Sequence, residues 1–171
     1  MSKFLYVFTT GIFLAFAQLS FFFILESELS SAFVTYSSVT LSWLTGIVAG
    51  LWISKEDRAL EKTLLLANII WYWVIYLLVK WYPFESKLFP IYIALIICSG
   101  IYAGYFFKIN KNIYPNVKKL FVHENNGFLV GMVLCTVGFM ALGSKFLSMA
   151  YLGLVFVLFF LQRVKSLDRQ C

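Results

Sequence analysis

Charged residues are scarce in this chain of 171 residues: they make up 13% of it, against 61% for hydrophobic residues. A soluble domain normally carries about 25% charged residues, because its surface has to face water. So few charges exclude an ordinary soluble domain and leave lipid as the solvent for most side chains. No polar stretch is long enough for a second domain, so we predict a single transmembrane domain over residues 1–171.

Residues that usually carry catalysis or bind metals are also few. The chain has one histidine and three cysteines, Cys98, Cys135 and Cys171, and it has no Cys-x-x-Cys pair. This excludes a thiol–disulfide motif and a haem held by two histidines of this chain. The motifs of serine hydrolases, zinc proteases and nucleotide-binding loops are absent too. We therefore expect no enzymatic activity, no metal and no cofactor, and we interpret Cys98 and Cys135 as small buried residues.

Long apolar runs fill most of the sequence. About 20 apolar residues cross the hydrocarbon core of a bilayer as one helix, and runs without alternation are not typical of a β-barrel. The pattern therefore predicts an all-α polytopic membrane protein. The first run is longer than the apolar part of a signal peptide, so we expect a membrane helix there and not a cleaved leader. The six predicted transmembrane helices are residues 4–25, 33–53, 63–82, 88–107, 120–142 and 147–162.

Lysines and arginines are distributed unevenly between the predicted loops. Eleven of the 14 lie on the side of the two chain ends, while Lys80, Lys87 and Lys145 lie on the other side. Because cytoplasmic loops of membrane proteins are rich in Lys and Arg, the pattern predicts cytoplasmic N- and C-termini. Orientation and contact with anionic headgroups then account for the net charge of +6. We expect the lipid bilayer as a partner and no nucleic acid.

Small residues recur at helical spacing in three of the predicted helices. In lipid, burial alone does not bring helices together, and small residues let helix backbones approach each other closely. We therefore predict that helices two, four and five pack together through their glycines. A face of hydroxyl residues on helix two, which includes Ser38 and Ser42, offers a second interpretation as a path for a polar substrate. The glycines predicted to pack are Gly46, Gly50, Gly100, Gly104, Gly127, Gly131 and Gly138.

Ionisable and amide residues within a membrane span are candidates for a binding site. The densest group is His123-Glu124-Asn125-Asn126 at the start of helix five, which could relay a proton or hold a cation. If helix five begins near Asn126, the same residues form a solvated loop and a helix cap. The run from Lys55 to Lys62 is predicted to be a solvated inner loop. The candidate binding residues are Gln18, Ser38, Ser42, Asn68, His123, Glu124, Asn125 and Asn126.

Two stretches of the sequence carry a resemblance to a known family. Both are glycine motifs in predicted helices: Gly11-Ile12-Phe13 through Gly46–Gly50, and Glu124–Gly131 followed by Gly138 and Gly143. Together they resemble the membrane domain of bacterial spermidine-synthase-like proteins, which looks like half of a major-facilitator transporter. The loop that contains Asp57-Arg58 is similar to the short inner loop between helices two and three of facilitator transporters.

The resemblance implies a location in the bacterial cytoplasmic (inner) membrane and a fold of two inverted repeats of three helices, as in many transporters. This sequence departs from the family in two respects. Gln18 stands where the family usually has Glu, so an ion-coupled mechanism through that position is not expected. The family's soluble aminopropyltransferase-like domain follows the last helix, whereas nine residues follow Gln162 here, and we expect no aminopropyl transfer.

Three functions stay open from the sequence. The first is a non-enzymatic membrane subunit or anchor for a separately encoded partner, which the incomplete family pattern and the glycine faces favour. The second is a transporter of a small solute or cation, such as a polyamine, that works as a homodimer of half-transporters. The third is a membrane enzyme that uses His123 and Glu124, for which a nucleophile or a set of metal ligands is lacking.

Overall fold

The chain folds into helices joined by short loops. The structure is a computed structural model, and it describes residues 2–29 and 32–167. Within these residues there are six α-helices, one short 3₁₀ helix (Ser86–Leu88) and no strand, so the prediction of an all-α fold is confirmed. The α-helices are α1 (Ser2–Leu29), α2 (Ala32–Trp52), α3 (Arg58–Trp81), α4 (Phe89–Asn110), α5 (Val117–Leu142) and α6 (Ser144–Leu167).

All six helices are long and apolar enough to cross a membrane. The shortest, α2, has 21 residues, which at about 1.5 Å per residue matches a hydrocarbon core of about 30 Å. The number and type of the helices therefore agree with the prediction from the apolar runs. Cys171, the last of the three cysteines, lies outside the described residues.

Six helix ends lie three or more residues outside the predicted bounds, because hydropathy does not mark polar turns at helix ends. The structure begins α3 at Arg58 instead of residue 63 and α5 at Val117 instead of residue 120, and it continues α6 to Leu167. Side-chain caps explain the two early starts. The Asp57 carboxylate accepts a hydrogen bond from the Ala59 N–H, and the Asn116 side chain accepts one from the Lys118 N–H, each at 2.8 Å. Such caps satisfy free N–H groups at a helix start without any apolar residue.

The turn between α5 and α6 is a single residue, Gly143. Its φ of 68° lies in the left-handed region that favours glycine. Its N–H donates to the Phe139 carbonyl at 2.8 Å, and its own carbonyl accepts from the Phe146 N–H at 3.1 Å. The connection is therefore shorter than the four-residue turn that the predicted helix ends imply, and it makes α5 and α6 a close hairpin.

The helices group into two compact units. The α1–α5–α6 unit comprises residues 1–19 and 110–171, and the α2–α3–α4 unit comprises residues 20–109 with the last turns of α1. Two repeats of three consecutive helices stay a prediction, because this grouping follows spatial contacts and not chain order. The core of the α1–α5–α6 unit includes Tyr6, Phe13, Phe16, Tyr151 and Leu158. The core of the α2–α3–α4 unit includes Phe21, Trp43, Tyr72, Ile96 and Phe106.

Candidate functional site

Backbone contact between α1 and α5 sets the position of the polar residues from His123 to Asn126 in α5. A Cβ atom added at Gly11 would lie 2.8 Å from the backbone nitrogen of Phe128, and one at Gly127 would lie 3.1 Å from the Cα of Phe8. These distances leave no room for a side chain, so glycine is what allows the two helices to touch. Helix α6 packs antiparallel to α1, and the rings of Phe13 and Tyr151 lie 5.2 Å apart between centroids.

The glycines of α2 and α4 pack against each other in the same manner. A Cβ at Gly46 would lie 2.8 Å from the Cα of Gly100, and one at Gly104 would lie 3.0 Å from the Leu51 nitrogen. A Cβ at Gly50 would also be only 2.8 Å from the backbone nitrogen of a residue in α4. Glycine thus brings the backbones of α2 and α4 together, as the spacing predicts.

The predicted contact of α5 with helices two and four is wrong as to the partner helix. Gly127 lies against Phe8, and Gly131 lies against Ile12, so the glycines of α5 contact α1. Gly138 faces the ring of Phe146 in α6. A face of small residues shows that a close neighbour exists, but the spacing alone does not say which helix provides it.

Two residues on the hydroxyl face of α2 bond to their own helix. The Ser42 hydroxyl donates to the Ser38 carbonyl at 2.6 Å, and the Thr45 hydroxyl donates to the Leu41 carbonyl at 2.8 Å. Hydroxyls that bond back to the preceding turn need no substrate to satisfy them. The arrangement therefore favours the packing interpretation of this face over a substrate path.

Asn68 connects two helices of the α2–α3–α4 unit. Its side chain is buried, and its amide donates to the Ser99 carbonyl of α4 at 2.8 Å. An interhelical bond of this kind holds helices together in an apolar environment. Asn68, Ser38 and Ser42 belong to this unit, whereas half-buried Gln18 and the residues from His123 to Asn126 belong to the α1–α5–α6 unit.

The loop between α2 and α3 is held against the end of α4, which sequence analysis did not foresee. The Tyr105 hydroxyl accepts from the Asp57 N–H at 2.7 Å and lies 3.0 Å from the Lys55 carbonyl, to which it can donate. The Lys108 amine donates to the carbonyls of Ile53 and Leu51 at the end of α2. The Lys108 amine thus satisfies two of the carbonyls that are left without helical partners around the end of α2.

The run from Lys55 to Lys62, predicted to be mostly a solvated inner loop, has one buried charged residue, Glu61. This carboxylate is 2% exposed and accepts a hydrogen bond from the Arg58 guanidinium at 2.7 Å. The same guanidinium reaches the Ile109 carbonyl at 3.3 Å. The spacing of three residues on α3 is what brings the two charges together, and the helix start at Arg58 is what creates that spacing.

The residues from His123 to Asn126 lie inside α5 and not in a loop or cap, because the helix begins six residues earlier at Val117. Glu124 is 7% exposed and lies on the buried face of α5, whereas Asn125 and Asn126 are exposed. The imidazole of His123 contacts the rings of Phe4 and Tyr114, with centroids 4.9 and 5.3 Å away. The four consecutive residues therefore have three different surroundings.

Among the described residues the Glu124 carboxylate has neither an ion pair nor a hydrogen bond. No group of three or more His, Cys, Asp or Glu side chains in this part of the chain is arranged to hold a metal ion. A buried carboxylate without a charged neighbour can bind a cation that needs few ligands.

Two further polar groups of the α1–α5–α6 unit were not singled out from the sequence. The Gln162 amide nitrogen donates to the Tyr6 hydroxyl at 3.3 Å inside the core, and the carbonyl oxygen of the same amide has no partner. The Tyr114 hydroxyl is buried and also has no partner, and burial raises the pKa of Tyr114. Tyrosines in apolar runs are too common to be recognised as polar sites from sequence.

Comparison with known proteins adds no relative. No protein-family model, no curated protein and no solved structure matches the chain. The resemblance to the membrane domain of spermidine-synthase-like proteins therefore stays a prediction, and any function has to be argued from the residues themselves.

Proposed function

We propose that the chain is a non-enzymatic integral membrane protein that crosses the cytoplasmic membrane six times and serves as a membrane subunit for a separately encoded partner. Six helices of sufficient length and apolarity support the membrane location. So do the many large apolar side chains on the outside, which in a water-soluble protein would form an unusually extensive patch. The excess of Lys and Arg on the side of the chain ends supports cytoplasmic termini.

The partner is supported mainly by one glycine. Nine glycines lie within the described α-helices, and eight of them would place an added Cβ within 3.0 Å of an atom outside their own backbone turn. Gly153 in α6 is the ninth, and nothing lies within 4 Å of its Cβ position. Because the other helical glycines lie where two elements meet, we infer that Gly153 marks a contact whose second element is not among the described residues.

The side chains around Gly153 fit a helix as that second element. Met149, Phe156 and Phe160 lie at intervals of seven and four residues, and all three are exposed together with Gly153. A glycine flanked by larger apolar side chains forms a shallow groove into which another membrane helix can pack. A partner helix on this face would bury apolar surface that the chain itself leaves open.

The non-enzymatic part is supported by how the other polar groups are used. Ser42 and Thr45 bond within α2, Asn68 bonds across to α4, and Arg58 pairs with Glu61. Groups that are satisfied in this way hold helices in place and are not available to a substrate. This leaves packing and partner binding as the better supported role.

The proposal is tested by a substitution in the open groove. A photo-crosslinking residue at Phe156 should give one discrete crosslinked partner in native membranes, and Gly153→Leu should reduce that product at least tenfold. Val137→Leu, on the exposed face of α5, is the matched control and should leave it unchanged. The proposal fails if Phe156 crosslinks only to lipid, or if Gly153→Leu and the control behave alike.

A small-cation transporter is the second candidate, and Glu124 is the observation that favours it. A buried carboxylate that has no ion pair or hydrogen bond within the described residues is a site where a polyamine or another cation can bind during transport by a homodimer. Vesicles that contain the purified chain should then take up labelled polyamine, Glu124→Gln should abolish uptake, and Asn125→Ala should retain it. Equal uptake by loaded and empty vesicles would contradict transport of the polyamines tried.

A further inference from the structure

The first turn of α5 is electrostatically unfavourable as it stands. Lys118 and Lys119 are exposed in this turn, which contains no acidic residue. The N-terminus of a helix carries a partial positive charge, so cations there are unfavourable and anions are favourable. Asn116 already caps the N–H groups of both lysines, so the uncompensated charges are the two side-chain amines.

The chain supplies no anion to these amines among its described residues. Between Asn110 and Glu124 the sequence has three lysines and no Asp or Glu. Glu124, the next acidic residue along α5, lies on the buried face of the helix beside Gly127 and not on the face of the two lysines. Residues 2–29 and 32–167 therefore leave the charges of Lys118 and Lys119 without an anionic partner, and an external anion would balance them.

The length of α5 places the lysine pair at the membrane surface, if the chain spans the membrane as proposed. The helix has 26 residues, whereas a hydrocarbon core of about 30 Å takes about 20 residues at about 1.5 Å each. Counted back from the Gly143 turn, the hydrocarbon region begins near His123. The segment from Val117 to Val122 then lies among the headgroups on the cytoplasmic side.

Apolar and amide side chains continue the same face of α5 below the lysines. Phe121 and Val122, three or four residues after Lys118, are 50% and 54% exposed. The exposed amides of Asn125 and Asn126 follow on this face, and exposed Leu129 comes next. A molecule that matches the whole face needs an anionic head, hydrogen-bond acceptors beneath it and an apolar tail.

We propose that this face binds an anionic phospholipid, with its phosphate between the amines of Lys118 and Lys119 and an acyl chain along Val122 and Leu129. The Asn125 and Asn126 amides lie where they can donate to the ester oxygens of the glycerol linkage. Free phosphate would match the lysines but none of the groups below them. A second copy docked on this face about an axis normal to the membrane would bring two lysine pairs together, and like charges repel.

The experiment compares two lipids on the purified full-length chain in zwitterionic detergent. Phosphatidylglycerol and phosphatidylcholine with identical acyl chains are titrated together, and native mass spectrometry counts the lipids that stay bound. Each lysine near an anionic surface contributes about 1 kcal/mol, or about fivefold in affinity. The double variant Lys118→Gln/Lys119→Gln should therefore lower the preference for phosphatidylglycerol by about 30-fold.

Lys145 provides the matched control, because it is also exposed in the first turn of a helix but at the opposite end of α5 and α6. Lys145→Gln should change the preference for phosphatidylglycerol less than twofold. If Lys145→Gln lowered this preference as much as the double variant does, the binding would be non-specific charge attraction and the proposed site would be wrong. Displacement of the lipid by millimolar inorganic phosphate would assign the site to phosphate alone. Unchanged melting in phosphatidylcholine shows that the double variant is folded.

The proposal of a lipid site depends on the proposed membrane location, but different results would contradict the two proposals. If the detergent-bound, folded chain shows no preference for phosphatidylglycerol, the lipid site is wrong and the proposed function stands. If the purified chain is monodisperse in buffer without detergent, the proposed membrane location itself is wrong.

Discussion

Glu61 and Glu124 are both buried in apolar helices, but only one of them has a charged neighbour. Glu61 accepts a hydrogen bond from Arg58 at 2.7 Å, one turn away on the same helix. Glu124, on the buried face of α5, has no ion pair or hydrogen bond within the described chain. A paired buried carboxylate holds a loop and a helix end in place, whereas an unpaired one is costly and implies a role in binding.

The same contrast extends to the units in which the two residues lie. In the α2–α3–α4 unit, Asn68, Lys108 and the Arg58–Glu61 pair bond internally, although the hydroxyls of Ser20, Thr40 and Ser99 have no partner. In the α1–α5–α6 unit, the Glu124 carboxylate and the Gln162 amide oxygen have no partner, and no described atom covers the surface at Gly153. The proposed partner face and the proposed lipid site both lie in the α1–α5–α6 unit.

Two glycine substitutions give the largest expected difference. Gly127→Leu puts a side chain against the backbone of Phe8, which cannot move without separating α1 from α5. Overpacking typically costs about 1–3 kcal/mol and more where backbone is hit, so we expect a loss of at least about 3 kcal/mol. Gly153→Leu enters open space and should melt within a few degrees of wild type, as followed by circular dichroism in detergent. Equal melting of both variants would contradict the packing of α1 on α5.

The two glutamates themselves give the next largest difference. Glu61→Gln leaves the Arg58 guanidinium without its carboxylate, and loss of one partner of a fully buried pair costs about 3–5 kcal/mol. Because the Arg58 side chain is 37% exposed, water screens part of that cost and we expect about 2 kcal/mol. Glu124→Gln removes no hydrogen bond or ion pair within the described chain, so it should leave the melting temperature unchanged or raise it. A strong destabilisation by Glu124→Gln would reveal a partner for this carboxylate.

Substitutions of Tyr105 and Tyr114 test the difference between the two units with a smaller expected effect on stability. Tyr105→Phe removes the hydroxyl that accepts from the Asp57 N–H, and a lost buried hydrogen bond costs about 1–2 kcal/mol. Tyr114→Phe removes a hydroxyl without a partner and should cost nothing. Hydrogen exchange of the loop before α3 should accelerate in the first variant and not in the second. Identical exchange in both would mean that Tyr105 does not hold the loop.

The apolar runs were enough to predict the helices, because in a chain with so few charges hydropathy marks every long helix. They were not enough for the ends, since Asp57 and Asn116 start α3 and α5 with polar turns. The glycine spacing showed where backbones approach each other, but Gly127 contacts α1 and not the expected helices. Partner choice depends on the shapes of both surfaces, which one sequence pattern does not contain.

The candidate site was predictable in its residue types and less so in its surroundings. An acidic residue within a predicted span pointed to Glu124, and the structure places it on a buried helix face. The sequence placed Glu61 in a loop, but α3 begins at Arg58 and Glu61 is buried as well. The difference between them arises from three-dimensional neighbours, above all from the guanidinium one turn away.

The smallest expected effect concerns the pH dependence of the cap of α3. The hydrogen bond from the Ala59 N–H, and secondly Lys55, hold the pKa of Asp57 below its ordinary value. Such a carboxylate stabilises the fold fully above its unfolded pKa of about 4, and the contribution is lost as pH falls through the lower folded pKa. Asp57→Asn keeps a capping oxygen without a titrating group. Between about pH 6 and pH 3 wild type should therefore lose slightly more thermal stability than the variant, and parallel melting curves would show that Asp57 does not cap α3 as a carboxylate.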